Sequence, residues 1–233
     1  MSHSNNSRPI ITHSNPKSPI SEAYRTLRTN IDFSSIDASM RVMMLTSAGP
    51  GEGKSTTTTN LAVAYAQADK KVLVIDADMR KPTMHHTFLK TNRRGLSNVI
   101  AGQATADEVI LETQVNNLFL MTAGPIPPNP SEMLSSKKMT AMLEELKETF
   151  DMIIIDTPPA LAVTDAQIVA TKCDGVLLVV DYGRVKREAA IKVKSNLEHV
   201  NAKLIGVVLN NVDRKSGENY YYYYYGNEQK EEK

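Results

Sequence analysis

Six short runs of apolar and β-branched residues recur along the chain, and their spacing constrains the fold more than any other feature. They are "RVMMLTS" (41–47), "KVLVIDAD" (71–78), "NLFLMTAG" (117–124), "DMIIIDTPP" (151–159), "DGVLLVVD" (174–181) and "KLIGVVLNN" (203–211). Apolar residues fill consecutive positions in these runs, the pattern of strands buried on both faces. Longer helix-compatible segments separate them, including "KSTTTTNLAVAYAQAD" (54–69), "SEMLSSKKMTAMLEELKETF" (131–150) and "REAAIKVKSNLEHV" (187–200). Strand, helix, strand repeated in this way predicts an α/β fold. A parallel sheet forms the middle of three layers, with helices on both faces, because right-handed crossovers place them there.

Two peripheral segments fall outside that rhythm. "SPISEAYRTLRTNIDF" (18–33) predicts a helix laid on the domain, with Ser18 as N-cap, Pro19 at the first helical position, and Ile20, Tyr24, Leu27 and Ile31 along one face. From Asp213 onward "DRKSGEN" loses periodicity and leads into six consecutive tyrosines. The chain therefore divides into a flexible start (1–17), a single domain (18–212) and a mobile tail (213–233). A length of 233 residues is enough to bury a core without disulfides, and the one cysteine, Cys173, cannot form an internal one. A reducing cytosol is the expected compartment. A net charge of +1 does not mark the chain as a nucleic-acid or anionic-membrane binder. No stretch approaches the roughly 18 apolar residues of a membrane span, so membrane association is expected only through a partner.

The strongest chemical signal is "SAGPGEGKST", which follows a predicted strand and opens a predicted helix. Its glycines let successive backbone N–H groups curl into one concavity, and the following helix adds positive potential for phosphate oxygens. Ala48, Gly49, Pro50, Gly51, Glu52, Gly53, Lys54, Ser55 and Thr56 are the candidate nucleotide-binding residues. Lys54 is expected to reach the β- and γ-phosphates and the Ser55 hydroxyl to ligate Mg²⁺. Three acids narrow the chemistry further. Asp76 and Asp78 end one strand, two residues apart and so on one side of an extended chain, and Asp156 ends another. Ligands of open parallel sheets sit beyond the carboxyl ends of the strands, so all three should converge on the phosphates. Metal-assisted phosphoryl transfer needs a hard oxygen ligand and a group that orients or deprotonates the attacking hydroxyl, and three acids suffice for both.

In their order, "SAGPGEGKST", "VLVIDADMRKP", "MIIIDTPP", "AGPIPPNPSEML" and the terminal tyrosines closely resemble the bacterial tyrosine kinases of capsule and exopolysaccharide biosynthesis. That family has the phosphate-loop fold of the cell-division and chromosome-partitioning ATPases. The resemblance implies autophosphorylation of Tyr220, Tyr221, Tyr222, Tyr223, Tyr224 and Tyr225, with ATP and Mg²⁺ as cofactors. It makes Lys54 the phosphate-binding lysine, Ser55, Asp78 and Asp156 the metal-side groups, and Asp76 the acceptor of the tyrosine proton. Spacing alone would let Asp76 and Asp78 exchange those tasks. The resemblance also identifies Glu22, Arg25 and Arg28 as an oligomerisation motif through which subunits form a ring. Spacing alone would favour an ordinary solvated face with an internal Glu–Arg pair. The implied partners are a transmembrane modulator that activates the kinase and holds it at the inner face of the membrane, a cognate phosphotyrosine phosphatase and other protein substrates.

One departure discriminates within the wider group. The division ATPases carry a lysine at the second loop position, reaching across a dimer, and this chain has Gly49 there. The rival reading is a nucleotide-switch ATPase that positions partners, with the tyrosines as an adhesive. Gly49 and the tyrosine run both favour the kinase. Among the remaining residues, His85 and His86 read as surface groups and Cys173 as a small buried side chain. Arg80 and Lys81 are open to phosphate, a neighbouring subunit or solvent. Ser131 is the expected N-cap of the helix after "AGPIPPNP", and Asn210 and Asn211 are either adenine-reading amides or turn residues.

Overall fold

A computed structural model describes residues 10–34 and 40–212. Seven strands form one sheet in the order β3-β4-β2-β5-β1-β6-β7, where β1 is Val42–Ser47, β2 Val72–Asp76, β3 Ile110–Glu112, β4 Leu118–Met121, β5 Met152–Asp156, β6 Gly175–Asp181 and β7 Leu204–Asn210. Six run parallel, and β3 pairs antiparallel with β4 at one edge. The six predicted runs are all strands. The short β3 edge carried no signal, because its three residues are only half-buried or exposed.

Strand parity divides the core into two layers. On one face Val42, Met44, Leu73, Ile75, Ile153, Ile155, Val176 and Leu178 pack under α6 (Pro130–Ser135), α7 (Lys137–Thr149), α8 (Asp165–Ala170) and α9 (Arg187–His199). On the other, Met43, Leu45, Val72, Val74, Ile154, Leu177 and Val179 pack against α3 (Lys54–Ala66). Over α3 lies α2 (Pro19–Ser34). Its cap is the predicted one, the Ser18 hydroxyl accepting from the Ser21 N–H at 3.1 Å. The remaining helices are α1 (Ile11–Ser14), α4 (Met84–Thr87) and α5 (Leu96–Ala101). Among the described residues, no helix is long and apolar enough to cross a membrane.

Three sequence readings need correction. Residues 10–17 were expected in a flexible end, but α1 docks on α3: the Asn60 side-chain oxygen accepts from the Thr12 N–H at 3.0 Å and its hydroxyl at 2.9 Å, and Ile10 is buried. A buried asparagine oxygen needs such partners, and the chain end supplies them. The segment 131–150 is two helices, because Ser136 turns to an extended conformation and caps α7, its hydroxyl accepting from the Met139 N–H at 3.2 Å. Ser131 is not an N-cap: Asn129 holds that position and Pro130 opens α6.

Candidate active site

The interior strand β1 runs into the 48–53 loop, and α3 begins at Lys54. Gly51 and Gly53 take φ of +80° and +86°, a region that L side chains rarely adopt. At Gly53 the requirement is double, since a Cβ there would lie 1.9 Å from the Asn210 amide nitrogen. That amide donates to the Glu52 carbonyl at 3.1 Å, so the end of β7 braces the loop. The Glu52 side chain is buried and turns back to accept from the Gly49 N–H. Burial raises the Glu52 pKa, with the Gly49 and Ala48 N–H groups opposing it. The first intrahelical bond joins the Thr57 N–H to the Gly53 carbonyl at 2.8 Å. Amides ahead of it have no helical acceptor, which leaves them to an anion.

Register brings the acids together. Asp76 and Asp156 are direct neighbours across the β2–β5 pair, and both share the parity of the residues facing α3. The Lys54 ammonium donates to Asp156 Oδ1 at 2.6 Å, the Ser55 hydroxyl to Oδ2 at 2.7 Å and the Thr58 hydroxyl to Oδ1 at 3.2 Å. Thr58 escaped the sequence reading, although one helical turn beyond Lys54 puts it on the same face. Asp76 is wholly buried: Oδ2 accepts from the Thr83 and Met84 N–H groups, each at 3.0 Å, and Oδ1 from the Asp78 N–H at 3.1 Å. Burial and the nearby Asp156 charge hold its carboxyl well above the usual carboxylate range, against the pull of the Met84 N–H and Lys54. Asp78, half-buried, accepts from the Lys81 N–H at 3.0 Å; burial raises its pKa too. A hydroxyl and two carboxylates are hard oxygen donors of the kind Mg²⁺ takes alongside substrate phosphates, so these residues fit the ion.

The other candidate residues lie elsewhere. On α2, Glu22 pairs with Arg25, and Arg28 donates to the Ala64 carbonyl at 2.7 Å in the last turn of α3. Asn211 donates to Asp181 at 2.9 Å. His86 is exposed, but His85 is half-buried, with a buried Nδ1. The half-buried Cys173 thiol bonds the Val169 carbonyl at 3.2 Å. The six tyrosines, Tyr220 to Tyr225, fall outside the described residues.

Residues 40–205 match the family model of an AAA domain. The tyrosine-protein kinase YwqD of Bacillus subtilis is 47% identical over 203 residues, 87% of this chain and 86% of that protein. The kinase domain of the Escherichia coli tyrosine kinase ETK superposes with a TM-score of 0.85 at 36% identity, covering 88% of this chain and 80% of that one. The cell-division ATPase MinD of Pyrococcus furiosus does so at 0.65 and 28% identity, over 75% and 73% of the two chains. The sheet is thus that of the phosphate-loop ATPases. With an intact phosphate loop, its paired lysine and aspartate and this degree of identity, the chain belongs to the bacterial tyrosine-protein kinases, enzymes that phosphorylate protein tyrosine.

Proposed function

We propose that the chain transfers the γ-phosphoryl group of ATP to tyrosines 220–225 of a neighbouring copy within a ring, and that this transfer regulates capsule or exopolysaccharide synthesis. The observation that carries the reading is the convergence of Lys54, Ser55 and Thr58 on Asp156, with Asp76 beside it, at the mouth of the loop. When nucleotide enters, the Lys54 ammonium exchanges its Asp156 partner for phosphate oxygens. The amides that open α3 hold the β-phosphate. Mg²⁺, held by Ser55 with Asp78 and Asp156 directly or through water, would neutralise charge building on the transferred group. The tyrosine oxygen forms the new P–O bond as the bond from the γ-phosphorus to the bridging oxygen breaks, and ADP leaves with that oxygen. The phenolic proton passes to Asp76, whose raised proton affinity suits it to accept. Asp78, more exposed, suits the metal side.

Glu22, Arg25 and Arg28 belong to the ring contacts in this reading. A transmembrane modulator recruits and activates the kinase at the inner face of the membrane, and a phosphatase resets it. Each phosphotyrosine adds about −1.5 to −2 charges, so a fully modified cluster repels its neighbours and favours disassembly. Tethering the tails in a ring raises their effective concentration at the next active site.

The test mixes a full-length Lys54→Met chain with an active chain truncated after residue 212, in ATP and Mg²⁺, followed by mass analysis of the C-terminal peptide. Phosphate on the Lys54→Met tail is expected. An unmodified tail there, while the active full-length chain modifies its own, overturns transfer between subunits. If the active full-length chain also stays unmodified, the autokinase reading itself fails.

A further inference from the structure

Arg80 follows Asp78 by two residues in the loop leaving β2, and its guanidinium does not face solvent alone. Nε donates to Asp165 Oδ2 at 2.9 Å and one terminal nitrogen to Asp165 Oδ1 at 2.9 Å. The same nitrogen reaches the Ser131 hydroxyl at 3.0 Å, and that hydroxyl donates to Asp165 Oδ1 at 2.6 Å. Asp165 is fully buried as the first residue of α8, and Ser131 is the second residue of α6. The strands feeding these helices, β4 and β5, flank β2 in the sheet. One guanidinium therefore ties together the loops leaving three adjacent strands, all at the end of the sheet that holds the phosphate loop.

The loop that carries Asp78 is pinned at its two ends by main-chain N–H groups, one bonded to a carbonyl and one to a carboxylate. Ala77 N–H donates to the Asp156 carbonyl at 2.8 Å, and Thr83 N–H donates to Asp76. Between those points, Met79 is buried in the core and Arg80 supplies the polar anchor to the neighbouring helices. Only Asp165 is buried while the Arg80 side chain is 39% exposed, and a pair open to solvent on one side adds little stability by itself, so its geometry is the stronger reason for it. A bidentate fork fixes direction as well as distance, which a lysine at the same place cannot do.

We propose that Arg80, Asp165 and Ser131 form a positioning clamp that aims the Asp78 carboxylate at the metal side of the nucleotide site. The inference rests on the kinase reading only for the metal's place beside Asp78. Arg80 is a positioning residue here, not a phosphate ligand, and the two roles predict different behaviour. If the guanidinium acts through Asp78, its loss weakens the coupling between Mg²⁺ and nucleotide. If it touched phosphate, its loss would weaken nucleotide binding with or without Mg²⁺, and lysine would rescue.

The experiment measures binding of a fluorescent ATP analogue across a Mg²⁺ titration, with tail phosphorylation followed in parallel, for Arg80→Lys, Asp165→Asn and Ser131→Ala. Both Arg80→Lys and Asp165→Asn should raise the Mg²⁺ needed for half-maximal enhancement of binding by about tenfold, the lower end for lost supporting partners of metal ligands. Binding without Mg²⁺ should stay within about twofold of the parent in both, as expected when the phosphate contacts are untouched. Ser131→Ala removes one hydroxyl and leaves the ion pair, so it should fold even if the others do not, and should shift the Mg²⁺ requirement in the same direction by less. Parental Mg²⁺ dependence in the folded variants overturns the clamp, as does an equal loss of Mg²⁺-free binding. If the parent binds the analogue but phosphorylates no tyrosine, the kinase reading fails while the Mg²⁺ titration still decides the clamp.

Discussion

Removing the carboxylate of Asp156 should destabilise the nucleotide-free protein more than removing the whole ion pair. Lys54 Nζ lies 2.6 Å from Asp156 Oδ1, with the lysine side chain 8% exposed and the aspartate 0%. Such a pair loses about 3–5 kcal/mol when one partner goes, because the other remains buried and uncompensated. Asp156→Leu also takes the acceptor from the Ser55 and Thr58 hydroxyls. Its melting temperature should fall by about 6–20 °C, at roughly 2–4 °C per kcal/mol for a domain of this size. Lys54→Met should cost less, since Asp156 keeps both hydroxyl bonds. Replacing both groups, Lys54→Met with Asp156→Leu, leaves an apolar pair, and the double variant should recover about 1–3 kcal/mol relative to the sum of the single losses. Thermal melts of the four proteins without nucleotide close the cycle. Additive losses would refute the reasoning, because they would mean that the two groups do not sense each other.

Two further outcomes are expected. Gly53→Ala should lose nucleotide affinity while remaining folded, since the new methyl needs the Asn210 amide to move and the positive φ costs about 1–3 kcal/mol; parental affinity in a nucleotide titration would contradict this. Burial alone would raise the Asp165 pKa, but bonds from Arg80 and Ser131 more than offset it and leave it lowered. A lowered folded-state pKa gives stability that is complete above the ordinary aspartate value and is lost as pH falls through the folded one. Urea melts between pH 7 and pH 2 should therefore show a smaller acid-side loss for Asp165→Asn than for the parent.

The strands were legible because a doubly covered parallel sheet demands unbroken apolar runs, and all six such runs lie in it. The phosphate loop was legible for a related reason: Gly51 and Gly53 stand where the backbone leaves the region open to other residues. Asp76 and Asp156 were placed together by strand-end logic, yet their adjacency came from register, which one sequence does not state. Helix boundaries were less readable. A serine in mid-pattern breaks α6 from α7 because its side chain caps the second helix, and that choice depends on how α7 packs. Longer-range polar contacts left little trace. The Thr12 bonds to Asn60 span 48 positions, and those of Arg80 to Asp165 span 85, so no local period could report either.

The brace between Asn210 and the phosphate loop sets a length scale for the substrate. Because β7 ends against Glu52, each chain's tail departs from beside its own nucleotide site, and Val212 is the last described residue before it. Eight peptide steps separate Val212 from Tyr220, and a fully extended chain covers about 26–29 Å in that span. Under the proposed transfer between copies, the first tyrosine is thus on a short leash rooted beside its own chain's nucleotide site. Any neighbouring site that phosphorylates it must lie within that radius, and the last tyrosine, five residues on, has about 17 Å more. The order in which the cluster fills would then act as a ruler for how far apart two catalytic loops stand.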